Sequence, residues 1–276
     1  MKLNPATQKK QKLRLSLEGQ TYTGKTLSAL LVSYGLAKDW SKTAIIDTEH
    51  HSASFYNWLG PFNTIQISAP YRTEKYIDAI DLCESAGIEV IIVDSISPEW
   101  VGEGGILDVY CSTPGSRAQK RNNAFPQHHA FMSYLLESTA HIITTVRVSG
   151  SRLEQDLAYR HNFHAVVSLD QNQEASVVKD RTGILKGECP CKLSLEIGSK
   201  LLQWCNQGED PVSPALQGQI DSCRNHEELQ RLMISLDMED MSLMSAFTRR
   251  RLELDGIVSF RQIDNSGPKH PPMTVV

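Results

Sequence analysis

No apolar run in this 276-residue chain approaches the roughly 18 residues that a bilayer-crossing helix needs. The basic opening MKLNPATQKKQK has no apolar segment behind it, so it is not expected to act as a secretory signal. Cysteine is scarce: six residues, too scattered for a disulfide framework. The one close pair, Cys189 and Cys191 in CPC, has no second pair to complete a zinc site, so idle thiols in a reducing cytoplasm are expected. Charge of one sign is also lacking. The net charge of −4 rules out a surface that attracts nucleic acid everywhere, so any such site must be a local basic patch. No internal repeat is present.

What the chain does have is an alternation of short apolar runs with helical patterns. LRLSLEG (13–19), KTAIIDTE (42–49), NTIQISA (63–69) and IEVIIVDS (88–95) read as strands. TGKTLSALLVSYGLAKDW and TEKYIDAIDLCESAG, the latter opened by Thr73 and closed by Gly87, read as helices, and SASFYNWLG as a short one. Strands this apolar are buried on both faces, and their alternation with helices implies βαβ units around a mostly parallel sheet. From Pro98 to about Gln127 the pattern breaks, and only GILDVY looks ordered. The helix HHAFMSYLLESTA then leads into the strand HIITTVR. AVVSLD and EASVVKDRT follow as an antiparallel edge hairpin turned at QNQ, and KLSLEIG with the helix SKLLQWCNQ completes the core. The expected organisation is a core over 1–208, a helical element over 209–264 and a disordered Pro-rich tail over 265–276. Two helices are expected in the element, ALQGQIDSCRNHEELQRLMISLD and an amphipathic EDMSLMSAFTRRRLELD with Met241, Met244 and Phe247 on one face.

The stretch Gly19-Gln20-Thr21-Tyr22-Thr23-Gly24-Lys25-Thr26 fits G-x-x-x-x-G-K-[ST], with a strand before it and a helix after it. Its glycines let backbone amides turn onto phosphate oxygens, and the helix N-terminus adds partial positive charge. Lys25 is expected to hold the β- and γ-phosphates of ATP, and the Thr26 hydroxyl to ligate Mg²⁺. Asp94, at the end of the apolar run VIIVD, would act on the same metal; a helix N-cap is its competing reading. Asp47 and Glu49 close the strand after the phosphate loop's helix. Glu49 is the candidate for positioning and deprotonating an attacking water, the bland alternative being a cap on the next helix.

Together these residues resemble the RecA-like core ATPases, whose catalytic glutamate lies in a strand-end motif similar to IIDTEHHSASFY. The resemblance implies that Glu49 is catalytic. HIITTVR is similar to the family's sensor strand, with Thr145 where a Gln usually stands. VVKDRTG looks like the family's Lys-x-Arg finger, which implies that Lys179 and Arg181 reach a neighbouring subunit's nucleotide. Over residues 13–204 the ordered set is most similar to RecA-like ATP-binding proteins of bacteriophages and bacterial mobile elements. Some of these assist strand annealing and recombination. Here DSISPEW carries Pro98 where many relatives have His.

Residues 111–160 carry six Lys/Arg against three acids. Arg117, Lys120, Arg121, Arg152 and Arg160 are the candidate contacts to single-stranded DNA, with Tyr159 beside Arg160 as a stacking ring. A solvated basic loop is the competing reading. The pairs His128-His129 and His161/His164 lack the company a metal site needs, and FTRRRLEL reads as the wet face of a helix. The expected protein is thus an ATP-hydrolysing homo-oligomer, a ring or a filament, acting on single-stranded DNA, with other recombination proteins as further partners. The alternative is a loader or assembly factor that uses ATP to switch protein contacts and touches no DNA. A small-molecule kinase is disfavoured, because no arginine-bearing lid is visible.

Overall fold

The computed structural model describes residues 9–208, 214–236 and 244–254. Its core is an eight-stranded sheet. The strands are β1 (Arg14–Gly19), β2 (Thr43–Asp47), β3 (Asn63–Gln66), β4 (Val90–Asp94), β5 (His141–Ser149), β6 (Arg152–Leu153), β7 (Ala165–Leu169) and β8 (Ala175–Asp180). Seven run in the order β3-β2-β4-β5-β1-β7-β8, and the two-residue β6 pairs with the end of β5. Along that order all pairings from β3 to β7 are parallel and β8 returns antiparallel, as the hairpin pattern predicts; β6 also pairs antiparallel with β5.

The helices around this sheet are α1 (Lys25–Ala37), α2 (Thr73–Ser85), α3 (Ser97–Val101), α4 (Ile106–Ser112), α5 (Arg117–Glu137), α6 (Ile184–Glu188) and α7 (Leu195–Cys205). The central strands divide their side chains by the two-residue period of a pleat. Leu15, Leu17, Ile45, Ile92 and Ile143 join a core with α1 and α7. Ile46, Ile91, Val93 and Ile142 join a second core with α2 and α5. The result is three layers with the sheet in the middle. Helices α1 and α7 cross closely, because a Cβ on Gly35 would lie 2.2 Å from the Leu195 carbonyl oxygen and one on Gly198 2.3 Å from that of Val32.

On β1 the alternation of LRLSLEG does not divide core from solvent. Leu13, Leu15 and Leu17 are buried, and so are Arg14, Ser16 and Glu18. The Arg14 guanidinium donates to the carbonyls of Leu136, Ser138 and Ala140, where α5 ends and β5 begins. A cation at that place also suits the negative end of the helix dipole. Burial lowers the Arg14 pKa to about 10.

Several sequence expectations are corrected. The stretch from Pro98 to Gln127 is helical, with α3 and α4 in it, and α5 starts at Arg117 rather than at His128. Ser116 and Gln119 form a reciprocal capping box that starts α5 early. Trp100, Ile106 and Ala124 close a small apolar cluster beneath it. Pro126 sits inside α5, and the Asn122 carbonyl that loses its donor there belongs to an exposed residue. Helix α2 follows Arg72, and Thr73 is its first residue rather than its cap. Leu195–Gly198 of KLSLEIG is the first turn of α7, capped by the Ser194 side chain, which accepts from the Ile197 amide.

Beyond residue 208, the first expected helix is two: α8 (Pro214–Ser222) and α9 (His226–Ser235). Asn225 starts the second by accepting from the Glu228 amide at 2.9 Å. With α10 (Met244–Leu254) they pack Ile220, Leu229 and Phe247 into a small core of their own. Met241 and the 265–276 tail lie outside the described residues. Among the described residues, no helix is long and apolar enough to cross a membrane.

A buried histidine and a half-buried one anchor the edge where the parallel strands begin. His141 Nδ1 accepts from the Leu13 amide at 2.9 Å, and His164 Nδ1 accepts from the Arg14 amide at 3.0 Å. Both must be neutral at that nitrogen. Burial, with Arg14 nearby, lowers His141 to about 3 and His164 to about 4. The unfolded chain protonates near 6.5, so their stabilisation is present above that pH and is lost as the pH falls below it. At pH 5 His141 alone should lose roughly 2 kcal/mol relative to pH 7. Urea midpoints at the two pH values, for the wild type and for His141→Gln, check this. The variant should be less pH-dependent between them; an equal drop would contradict the neutral anchor.

Candidate functional site

The ends of β1, β4, β2 and β5 bring the sequence-predicted residues together. After Gly19 the chain turns sharply and re-enters as α1. A Cβ on Gly19 would lie 2.5 Å from Thr23 Oγ1 and 2.8 Å from the Leu169 carbonyl oxygen, and Gly24 has φ +76, so both positions favour glycine. Gln20, Thr21, Tyr22 and Thr23 form the loop between them, and the Tyr22 side chain at its tip is 91% exposed. No side chain caps the N-terminus of α1 and no acid sits in its first turn. That leaves an electropositive helix end with Lys25 on it. Lys25 Nζ folds back onto the carbonyls of Gly19 and Gln20 at 3.0 and 2.7 Å. Desolvation lowers its pKa, opposed by the carboxylates of Asp94 and Glu49.

Asp94 ends β4 and is 3% exposed. Thr26 Oγ1 donates to its Oδ2 at 2.7 Å and Thr145 Oγ1 to its Oδ1 at 2.5 Å. Burial raises its pKa, and these two hydroxyls act against that rise. Thr145, which the resemblance sets at the sensor position and so beside the nucleotide's phosphates, gives its hydroxyl to this carboxylate. A hydroxyl and a carboxylate oxygen 2.7 Å apart at a phosphate loop are the hard oxygen donors that Mg²⁺ takes, so the residues present fit that ion. Among the described residues, no group of three His, Cys, Asp or Glu side chains could hold a metal on its own, so the phosphates and water would supply the remaining ligands.

Asp47, not Glu49, binds the head of the next helix: its carboxylate accepts from the amides of Glu49 at 2.6 Å and Ala53 at 3.1 Å, where the 3₁₀ helix Ser52–Leu59 begins behind its N-cap residue His51. The Glu49 carboxylate takes no part in those bonds. It accepts from Ser95 Oγ at 3.2 Å, one residue beyond Asp94. Tyr56, on that 3₁₀ helix, has its pKa raised by desolvation and by the charge of Asp94.

Arg147 is the residue that sequence reasoning missed, because it was counted only as surface charge. It pairs with Gly19 in the parallel register of β5 and β1, its amide donates to Ser97 Oγ, and its Nε lies 3.5 Å from Glu49 Oε1 and 3.2 Å from Glu154 Oε2. That Nε is buried and makes no well-formed hydrogen bond. No signal in the sequence marked it, because only the fold sets β5 beside β1.

Two of the expected DNA-binding residues are corrected. Tyr159 is buried and offers no face for stacking; its hydroxyl donates to Glu18 Oε1. The Arg160 fork grips the same carboxylate, Nε to Oε1 at 2.7 Å and Nη2 to Oε2 at 2.5 Å. Glu18 precedes the first loop glycine and is 2% exposed, so its charge needs that cation. The others stand differently. Arg117, Lys120 and Arg121 lie not on a loop but in the first turns of α5, and Arg152 is exposed on β6. Lys120 sits over the Tyr110 ring and Arg121 over Phe125, 5.9 and 5.1 Å from the centroids.

Lys179 and Arg181 are far along the sheet from the phosphate loop. Lys179 pairs with Val166 and Asp180 with Ala165, at the start of β7, whereas the loop follows the end of β1 beside Leu169. Lys179 Nζ donates to the carbonyls of Arg160 and His161, both at 2.8 Å, and Arg181 is exposed. His128, which the sequence offered as a weak metal candidate, is buried with Nδ1 3.0 Å from Glu99 Oε1. No family model and no curated protein matches the chain.

The Arg160 assignment can be tested through stability. Arg160→Ala should cost about 2–3 kcal/mol, somewhat below a fully enclosed pair because its side chain is one-third exposed. Adding Glu18→Gln should recover part of the loss, read by urea denaturation. A residue that only touched DNA would leave the midpoint unchanged.

Proposed function

We propose that this protein binds and hydrolyses ATP on a RecA-like core, assembles with ATP at the interfaces between copies, and acts on single-stranded DNA in recombination or strand annealing of the phage and mobile-element type. The observation that carries the reading is the convergence at one sheet end: Thr26 hydrogen-bonded to Asp94 at 2.7 Å, with Glu49 tied to the next residue, Ser95. The first turn of α1 and the ends of β4 and β2 contribute one group each to a volume in front of an uncapped helix N-terminus. Brought there, Mg²⁺ would neutralise charge on the β- and γ-phosphates. Lys25 would leave the loop carbonyls for those same phosphates. Glu49 would orient a water and take its proton. Arg147, now between Glu49 and Glu154, would release Glu49 for that task by turning toward the phosphate charge.

The finger reading is supported by distance. Residues at the opposite end of the sheet cannot serve their own chain's nucleotide, so Lys179 and Arg181 have a catalytic use only on another copy's. The DNA reading is supported by α5. Arg117, Lys120 and Arg121 crowd the positive end of a helix dipole with no acid in the first turn, an arrangement that costs about 0.3–1 kcal/mol per charge unless an anion joins it.

Lys25→Ala should weaken ATP binding about 10- to 100-fold with the fold intact, the range expected when one charge-assisted hydrogen bond is removed. Binding as tight as wild type would remove the phosphate-loop assignment. Glu49→Gln and the double variant Lys179→Ala, Arg181→Ala should each lose on the order of 10³ in hydrolysis rate, yet their mixture should regain part of it. Subunit exchange has to be confirmed first; with exchange shown, no recovery at any ratio would put the finger residues out of catalysis in trans. For DNA, neutralising Arg117, Lys120, Arg121 and Arg152 should flatten the slope of log K against log salt by roughly 0.7 for each phosphate no longer neutralised. A hydrolysis rate unmoved by single-stranded DNA, together with ATP-dependent assembly, would favour the protein-switching alternative instead.

A further inference from the structure

We propose that Cys189 and Cys191 form a reversible dithiol–disulfide site, oxidised by small-molecule disulfides such as oxidised glutathione. The two sulfurs are 3.3 Å apart and unbonded. Both side chains are half-buried, and Pro190 between them is exposed, so a small reagent can approach from solvent. A disulfide needs the sulfurs at about 2.05 Å, a short further approach. A metal is the less suitable occupant, because among the described residues no third His, Cys, Asp or Glu completes a ligand set.

The chemistry balances in two steps. Cys191 loses its proton to solvent, and its thiolate attacks one sulfur of the small disulfide. This forms a mixed disulfide and expels the first small thiolate, which takes up a proton. Cys189 then loses its proton and attacks the Cys191 sulfur, closing the bond between them and expelling the second small thiolate, which is also protonated. Two electrons pass from the protein to the small disulfide, which leaves as two thiols. Cys189 suits the second position. Burial first, then the hydrogen bond with Cys191, pushes its thiol up to about 12, so it makes a poor attacker on a molecule from solution. Against a sulfur already in contact, proximity offsets that handicap. A ring closed across a single residue is strained, and strained disulfides are the easily reduced ones.

The site sits where the start of β8 is held. The Cys189 amide caps α6 by donating to the Leu185 carbonyl at 2.8 Å, and the Cys191 carbonyl accepts from the Ala175 amide, the first residue of β8, at 2.7 Å. Asp180 is close enough to act on Cys189 electrostatically. Its carboxylate also accepts from the amides of Thr182, Gly183 and Lys186, and so shapes the turn between Lys179 and α6. Drawing the sulfurs together pulls on both attachments.

The test uses the full-length chain with exposed Cys111 replaced by Ser, treated with oxidised glutathione and read by intact mass and peptide mapping. The expected product has lost two hydrogens, keeps no glutathione, maps to the peptide holding both residues and reverts with dithiothreitol. Cys189→Ser should stop at a glutathione adduct on Cys191, and Cys191→Ser should not react at either position. If a variant fails to fold, mapping of the Cys111→Ser parent decides. A stable adduct on each cysteine, a bond formed elsewhere, or no change in mass would overturn the site. A second arm rests on the function proposed above: the oxidised chain should bind ATP as before and hydrolyse it more slowly. Equal rates with the disulfide mapped would overturn the coupling to β8 and leave the dithiol chemistry standing.

Discussion

The candidate site at this end of the sheet depends on one buried carboxylate. Asp94 has almost no contact with water, and burial alone would drive it toward its neutral form. Two threonine hydroxyls, from α1 and β5, oppose that drive, and so they fix where α1 and β5 stand relative to β4. The following residues repeat the device. Ser95 reaches Glu49, and its amide donates to Thr48 Oγ1 on the same strand end. Ser97 accepts from the Arg147 amide, and Glu99 meets His128 of α5. A short run after β4 thus ties the phosphate loop, the Glu49 strand end, β5 and α5 to one place. A charge held this way is a cost to folding that makes sense at a site built for a cation.

A second buried carboxylate steadies the loop from behind. Glu18 cannot be left unpaired at the end of β1, and Arg160 and Tyr159 satisfy it from the 3₁₀ helix Leu157–His161. The carbonyls at the end of that helix, Arg160 and His161, in turn hold Lys179. The loop after β1 and the β8 hairpin are therefore connected through a few polar contacts as well as through the apolar core that β1, β7 and β8 share. Rearrangement at one end has a physical route to the other, and a double-mutant cycle between the two ends would measure the coupling along it.

The fold was readable where hydrophobic period and turn chemistry agreed. The apolar runs of β2 and β4 and the QNQ turn of the β7–β8 hairpin announce themselves. Of the helices from Ser97 to Gln127 only α4 showed, as the ordered run GILDVY; the start of α5 was hidden because its residues are polar and Pro126 interrupts it. Their order comes from a capping box and from Trp100, Ile106 and Ala124, contacts that no local pattern displays. The site was legible to the same degree. Gly19, Gly24, Lys25, Thr26, Asp94 and Glu49 follow from a motif and from strand ends, where α/β sheets place ligands. Arg160 and Tyr159 misled because a basic residue beside an aromatic ring reads as a wet surface. Their partner, Glu18, lies 142 positions from Arg160, and only the tertiary fold puts it there. Arg147 was hidden for the same reason, since its meaning comes from lying opposite Gly19 across two strands.

The central claim is that Asp94 is a metal-facing carboxylate kept charged at an energetic cost. Its most direct test is a paired measurement on Asp94→Asn: thermal stability, and ATP affinity with and without Mg²⁺. The isostere keeps the shape and removes the buried charge. It should melt at a higher temperature than wild type while losing the Mg²⁺-dependent part of ATP binding. A variant that melts lower and still binds ATP with the full Mg²⁺ dependence would make Asp94 a structural cap, and the account of this site would fail.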